Sequence, residues 1–449
     1  MARALVRFLP FEMALLGLFE LPVLFALVFT MQPGIGKTPL TGLRMLPTDG
    51  LELTAMLAAT IAGTALVIGL YRTEICLDRR RLLICGATAA ALAFPGILLV
   101  SDANRVILTG EHIICLGRLL AIWLSFVLAV RYAFGVLYPR MPAVHRVLII
   151  GGGDREARLR RRLLAMGQRY QAISRDFEGA APSLEFVRRQ RIWGIVVAHD
   201  GPAPISHEIL LENKLRGVPV LDDISFQERH LGRVELETVD ANWLLFADGF
   251  HNGMMARIAR RALDIVVASL ILVAALPLML LTAMMIKCDS RGPVLYRQER
   301  TGLHGRSFTL LKFRSMTVDA EAAGCPQWAQ LRDPRVTRVG AFIRACRIDE
   351  LPQLLNILRG DMSMVGPRPE RPEFTGDLAR IIPFYNHRCY VKPGLTGWAQ
   401  VNYPYGASIE DAREKLAYDL WYVKNRGLLL DVVILLSTVR VVLFGEGAR

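Results

Sequence analysis

Apolar residues along this chain gather into long runs rather than into the short periodic faces of a water-soluble domain. Four runs, 11–31, 51–70, 82–100 and 113–137, precede residue 140, each about long enough to cross a bilayer as a helix. The first carries Glu12 and Glu20 and continues through Pro22, Phe25 and Phe29 with no small-residue cleavage site. That excludes a cleavable signal peptide. Basic residues in the connections set the orientation. Arg72, Arg79, Arg80 and Arg81 follow the second run, and Arg140 and Arg146 follow the fourth. The other two connections offer only Lys37 with Arg44, and Arg105. The two strongly basic sides, with Arg3 and Arg7, are therefore expected in the cytoplasm. Arg118 and Arg131, near the ends of the fourth run, are expected to snorkel to the headgroups.

A fifth run, 262–286, has the length of another span but basic flanks on both sides: Arg257, Arg260 and Arg261 before it, Lys287, Arg291, Arg297 and Arg300 after it. Both ends thus favour the cytoplasmic side, and Pro277 in the middle removes a backbone donor. The pattern predicts a re-entrant helix, about 258–287, that enters the inner leaflet, breaks at Pro277 and returns. An ordinary Pro-kinked span is the alternative, and it would place the polar C-terminal third outside the cell.

Between these membrane segments, residues 144–250 read as alternating strand and helix. Val147–Ile150, Ile195–Ala198 and Val218–Leu221 are short buried-strand runs, and an Arg-rich helix follows Gly151-Gly152-Gly153. The pattern predicts a small Rossmann-like α/β domain. As a dinucleotide fingerprint it is poor: Glu156 stands where the third glycine belongs and would face a pyrophosphate. No Tyr-x-x-x-Lys pair supplies a reductase base. The domain is therefore read as non-catalytic, and a fragment beginning near Met254 is expected to keep the chain's chemistry.

Composition narrows the partners. The 449 residues are 53% hydrophobic and 21% charged, with a formal net charge of +13. These values exclude a disordered chain. Beside apolar runs, the basic surplus suits membrane lipid and phosphate-bearing substrates, and no nucleic acid is called for. Seven cysteines with no Cys-x-x-Cys pair speak against a disulfide framework or zinc knuckle.

The densest chemistry lies after Pro293. Gln298, Arg300, Gly302 and Gly305 precede the run Lys312-Phe313-Arg314-Ser315-Met316, and Asp333-Pro334-Arg335 follows. Next come Asp349-Glu350-Leu351-Pro352-Gln353-Leu354 and Val365-Gly366-Pro367-Arg368-Pro369-Glu370. Leu351, Leu354, Leu355 and Leu358 have helical spacing, so Asp349 is predicted to be an N-cap with Glu350 in the first turn. Two carboxylates favoured by a helix dipole would be the plain explanation. The cations around them, Lys312, Arg314, Arg347 and Arg368, point instead to phosphate chemistry with a carboxylate nucleophile and a divalent metal. Trp398 is read as an interfacial anchor, and Tyr418, Trp421 and Tyr422 as packing. The tail Leu428–Phe444, interrupted by Asp431 and Arg440, is read as lying on the membrane.

With Gly360-Asp361-Met362-Ser363 and the run Lys392–Asn402, these motifs make residues 258–445 resemble the bacterial sugar transferases, the monotopic phosphoglycosyl transferases. The preceding spans and α/β insert make the whole chain look like their large subclass, the polyprenyl glycosylphosphotransferases of exopolysaccharide systems. The implied architecture is membrane α plus α/β: a four-helix transmembrane bundle (1–140), the α/β domain (144–250), and a monotopic catalytic domain (255–449) with a re-entrant membrane helix. The implied reaction moves a sugar 1-phosphate from a UDP-sugar to undecaprenyl phosphate at the cytoplasmic face of the bacterial inner membrane. Asp349 would be the nucleophile and Glu350 the Mg²⁺ ligand. Lys312, Arg314, Arg368, Asp431 and Arg300 would bind substrate, and a homodimer is compatible with the resemblance. Two positions depart from the family pattern: Leu276 where a serine precedes the proline, and Arg347-Ile348 where Ser-Leu precedes the carboxylates. A polyprenyl-phosphate phosphatase and a non-catalytic sugar-nucleotide sensor are the competing readings.

Overall fold

The first four apolar runs fold as helices: α1 (Phe11–Met31), α2 (Pro47–Ile68), α3 (Arg79–Ala103) and α4 (Gly110–Leu137). The structure is a computed structural model that describes residues 11–31, 47–104, 110–137, 145–165, 170–174, 183–199, 207–238, 253–317, 335–403, 406 and 408–443. The orienting charges Arg3, Arg7, Lys37, Arg44, Arg105 and Arg140 lie outside these residues, as do Asp333, Pro334 and Cys325. Windows in α2, α3 and α4 are long and apolar enough to cross a membrane, and α1 contributes the shorter apolar stretch Leu15–Thr30. The chain is a membrane protein by this measure.

The carboxylate in α1 has a partner. Arg131 on α4 is fully buried and forms a two-pronged ion pair with Glu20, its Nη2 donating to Glu20 Oε2 at 2.8 Å. Its Nε donates to Leu70 O at 2.9 Å, and its guanidinium lies 4.7 Å from the centroid of the Tyr71 ring. Arg131 therefore does not snorkel. A charge in an apolar bundle is held by an opposite charge and a carbonyl, because leaving either alone is costly.

The same compact unit, Leu9–Leu231, contains a four-stranded parallel sheet. Its strands are β1 (His145–Gly152), β2 (Tyr170–Ser174), β3 (Gly194–His199) and β4 (Val220–Asp222), in the order β2-β1-β3-β4. Helices α5 (Asp154–Ala165), α6 (Leu184–Arg189) and α7 (His207–Leu215) connect them. Alternate residues of β1 feed two cores, Val147 and Ile149 with Leu159 and Leu163 on one face, Leu148 and Ile150 with Val187 on the other. β2 escaped the sequence pattern because Tyr-Gln-Ala-Ile-Ser contains no continuous apolar run. Glu156 sits in the first turn of α5.

The second unit begins at Gly232, which moves the expected boundary at residue 250. Val234 is fully buried in the C-terminal core, Gly232 O accepts from Trp398 Nε1 at 2.8 Å, and Arg233 forms a two-pronged ion pair with Glu414. Residues 232–238 therefore belong to the C-terminal unit. Sequence periodicity could not reveal contacts across such a separation.

That unit carries α8 (Met254–Asp289), a helix that continues through Pro277. Losing one donor leaves the surrounding ladder intact, so the expected interruption is absent. A stripe along α8 faces the unit between Asp264 and Ile286: Asp264, Ala268 and Ile271, then Met279, Thr282, Ala283 and Ile286. Leu270, Val273, Leu280, Leu281 and Met284 remain exposed. Both ends are tied to the same body. Arg261 donates to Ile357 O and Leu358 O at 2.6 and 2.7 Å, and Asp264 accepts from Ser363 Oγ and Met364 N at 2.9 and 2.8 Å. At the far end Asp289 accepts from Val339 N at 3.3 Å.

Beyond α8 an antiparallel hairpin, β5 (Leu295–Thr301) and β6 (Ser307–Phe313), leads to α9 (Arg338–Ala345) and α10 (Gln353–Arg359). Strand β7 (Ser363–Val365) precedes α11 (Pro372–Ile381) and pairs in parallel with β8 (Gly394–Thr396). Here two glycine motifs interlock: a Cβ on Gly394 would overlap Gly366 N, and one on Gly397 would overlap Gly366 O. Helices α12 (Ile409–Asn425) and α13 (Leu428–Leu443) complete the unit. Trp398 is buried and stacks on Trp421 with centroids 5.0 Å apart, so it is a core residue and not an interfacial anchor.

Candidate active site

Asp349 and Glu350 do not cap a helix. Arg347 adopts a left-handed conformation (φ 59°, ψ 15°) and opens a 3₁₀ turn, Ile348–Glu350, while α10 starts only after Pro352. Proline lacks the N–H of a normal first turn, which lets the chain tighten before the helix proper. The turn points both carboxylates into one cavity of about 1340 Å³, and both residues are nearly buried, at 8% and 9% exposure.

Three cations converge on a single oxygen. Glu350 Oε1 accepts from Arg368 Nη2 at 2.6 Å and Arg347 Nη1 at 3.4 Å, with Lys312 Nζ 3.7 Å away. Burial alone would raise the Glu350 pKa, but Arg368, Lys312 and Arg347 outweigh it and hold the carboxyl well below the usual range. Its neighbour goes the other way. Burial pushes Asp349 up, only partly opposed by Lys312, and the charge of Glu350 adds to the rise. Burial also lowers Lys312, against the pull of Glu350. Two adjacent carboxyls with divergent proton affinities are the signature of divided roles.

The remaining sequence candidates separate. Arg300 lines the cavity and donates from Nη1 to Pro369 O at 3.1 Å and from Nη2 to Gln298 Oε1 at 2.5 Å. It thereby supports the Arg368 loop. Arg314 is buried and spent elsewhere: Nη1 donates to Arg291 O at 2.9 Å, and Nη2 to Ser290 O at 2.8 Å. It clamps the chain leaving α8. Asp431 is also apart from the carboxylate pair, accepting from Tyr422 OH at 2.7 Å and pairing with Arg260 at 3.2 Å. Burial raises it to about 6 against that hydrogen bond and the Arg260 charge. Arg314 also lines the cavity while its Nη atoms hold the chain leaving α8, and Asp431 ties α13 to α8 through Arg260.

Charged and apolar residues both line the cavity. Its polar floor holds Arg300, Lys312, Asp349, Glu350 and Arg368, and its walls include Val267, Ile271, Ala275 and Leu278 of α8 with Leu435, Val439 and Val442 of α13. Sequence reading missed several charged residues that also line it, among them Arg388 and Asp419. Asp419 had a signal: it falls on the face of α12 that buries Leu416, Leu420 and Val423. Arg388, in the polar run His387-Arg388-Cys389, had none.

Among the described residues no group of three or more His, Cys, Asp or Glu side chains could hold a metal. Two carboxylates opening on one cavity still fit magnesium, which commonly takes one or two carboxylates and completes its shell with water and substrate phosphates. Glu350, held ionised, is the stronger candidate ligand.

A family model described as bacterial sugar transferase matches residues 255–445. The chain is 44% identical over 235 residues to a UDP-N-acetylgalactosamine-undecaprenyl-phosphate N-acetylgalactosaminephosphotransferase of Aeromonas hydrophila, covering 52% of this chain and 55% of that protein. It is 32% identical over 351 residues to an undecaprenyl-phosphate glucose phosphotransferase of Komagataeibacter xylinus, covering 73% and 66%. A UDP-glucose:undecaprenyl-phosphate glucose-1-phosphate transferase of Caulobacter vibrioides is 44% identical over 202 residues, 44% of this chain and 75% of that protein. The matched stretches thus span less than two thirds of the Aeromonas and Komagataeibacter proteins.

Proposed function

The chain belongs to the bacterial sugar transferase family, and from that premise we propose that it transfers a sugar 1-phosphate from a UDP-sugar to undecaprenyl phosphate. The observation that carries the reading is the pair Asp349 and Glu350, divergent in proton affinity, beside Lys312 and Arg368 in a cavity that continues between apolar helices. A charged floor suits a diphosphate and an apolar wall suits a polyprenyl chain. A polyprenyl-phosphate phosphatase would use both features as well, and differs in releasing inorganic phosphate and no UMP.

In the proposed first step, Arg368 and Lys312 bind the donor diphosphate, and Arg368 exchanges part of its contact with Glu350 for a phosphate oxygen. A carboxylate oxygen of Asp349 attacks the phosphorus that carries the sugar. The bond from that phosphorus to the bridging oxygen breaks, and UMP leaves with the electron pair. In the second step an oxygen of the acceptor phosphate attacks the same phosphorus, the bond to Asp349 breaks, and the carboxylate is restored. Splitting the transfer means that each displacement brings one incoming anion to the site. A magnesium ion held by Glu350 and Asp349 would supply charge neutralisation of the diphosphate.

The same reading keeps both ends of α8, and the catalytic unit with them, on the cytoplasmic face of the inner membrane. Support comes from the packed stripe along α8 and the ties at both of its ends. The product would initiate a surface glycan. The test is a donor panel with undecaprenyl phosphate, scoring UMP and lipid-linked sugar together. Inorganic phosphate released from the lipid without UMP would establish the phosphatase instead. No turnover with any donor would favour the sensor.

A further inference from the structure

Every backbone carbonyl from Pro367 to Glu370, the loop that presents Arg368, is held by a donor from another part of the chain. Pro367 O accepts from Gly394 N at 2.9 Å, Pro369 O from Arg300 Nη1 at 3.1 Å, and Glu370 O from Thr301 N at 2.9 Å. The carbonyl of Arg368 itself accepts from Arg388 Nη2 at 2.9 Å. Prolines on both sides of Arg368 leave this stretch poor in donors of its own, so its shape depends on what is brought to it.

Arg388 is itself firmly held. It lies in the 3₁₀ turn Tyr385–Tyr390, is 8% exposed, and donates from Nη1 to Tyr385 OH at 2.8 Å. Its Nη2 is also 2.8 Å from Asp419 Oδ2, and Asp419 is 1% exposed. A buried ion pair is a poor source of stability, since well-packed apolar side chains do as well or better. What it supplies is a fork of fixed geometry. Both terminal nitrogens of Arg388 are spent on protein acceptors, whereas the Arg368 guanidinium that they support reaches Glu350 Oε1 at 2.6 Å.

We propose that Arg388, clamped by Asp419, is a positioning residue that fixes Arg368 for the phosphate it binds during transfer. The inference rests on the function proposed above. It predicts that Arg388 acts on the chemical step through Arg368 and contributes little to donor affinity. Displacing a catalytic group by about 1 Å can cost on the order of 10²-fold in rate. Lysine keeps the charge but cannot span three acceptors.

The experiment is a double-mutant cycle on the full-length protein in nanodiscs. It reads UMP release in single turnover against UDP-sugar concentration, with the thermal midpoint recorded for each variant. Arg388→Lys should slow the step by roughly 10- to 100-fold and move half-saturation by less than about 3-fold. In an Arg368→Ala background the same change should cost less than about 3-fold, because the group being positioned is gone. Asp419→Asn should show the same pattern with a smaller loss, and it replaces Arg388→Lys in the cycle if that variant does not fold. Equal losses in both backgrounds, as a general loosening of the fold would give, would overturn the inference. So would a raised half-saturation at unchanged rate. No UMP release by the wild-type chain would instead overturn the functional reading, and this inference with it.

Discussion

Removing residues 1–253 should cripple the C-terminal unit, whereas removing residues 1–231 should not. The shorter fragment loses Val234, whose side chain is fully buried in the main core, worth about 1.5–3 kcal/mol of transfer free energy. It also deprives Trp398 Nε1 of its acceptor Gly232 O in a buried setting, at a cost of about 1–3 kcal/mol. The Arg233–Glu414 pair, with side chains 8% and 30% exposed, adds about 1 kcal/mol or less. Together the losses are roughly 3–7 kcal/mol, a large part of the 5–15 kcal/mol that holds an ordinary domain. At roughly 2–4 °C per kcal/mol for a unit of this size, the midpoint should fall by about 6–28 °C. Thermal unfolding of the two fragments in nanodiscs, followed by Trp398 and Trp421 fluorescence, measures this directly. Midpoints within about 2 °C of each other would refute the assignment of residues 232–238 to the catalytic core.

Other outcomes follow from the same geometry. Glu350→Gln leaves Arg368, Lys312 and Arg347 without their common anion; UMP release should fall by about 10²-fold or more, with a weaker magnesium dependence in titration. Asp419 and Asp431, raised by burial from 3.8 to about 6, bind protons more tightly folded than unfolded. Their contribution is therefore full below pH 4 and lost as pH rises through about 6, by up to about 3 kcal/mol each. The thermal midpoint should decline between pH 5 and 7, less steeply in Asp431→Asn than in the wild type. Cysteines placed near Gly302 and Gly406 should escape membrane-impermeant labelling from outside the cell, and reaction at either would make α8 a true span.

What the sequence disclosed divides along physical lines. The helices of the membrane half were legible to within a few residues because apolar length is a one-dimensional property. The carboxylates and Lys312, Arg300 and Arg368 were legible because motif chemistry is local, and the structure brings all five to one cavity. The internal contacts of Arg314 and Asp431 were not legible, because a charge in a motif looks the same whatever it is bonded to. Trp398 misled, since an indole suits an interface and a core equally until its N–H partner, Gly232 O, is seen. The boundary near residue 232 and the Arg388–Asp419 clamp depend on contacts between distant segments. No periodicity records such contacts.

The central claim is that Asp349 carries the sugar phosphate between donor and acceptor. Enzyme at high concentration is mixed with UDP-sugar labelled in the sugar, without undecaprenyl phosphate, quenched within one turnover and digested. UMP release should be matched by label on the peptide containing Asp349, and neither should occur in Asp349→Asn. An unlabelled peptide, together with a sequential initial-rate pattern and UMP formed only when acceptor is present, would contradict it.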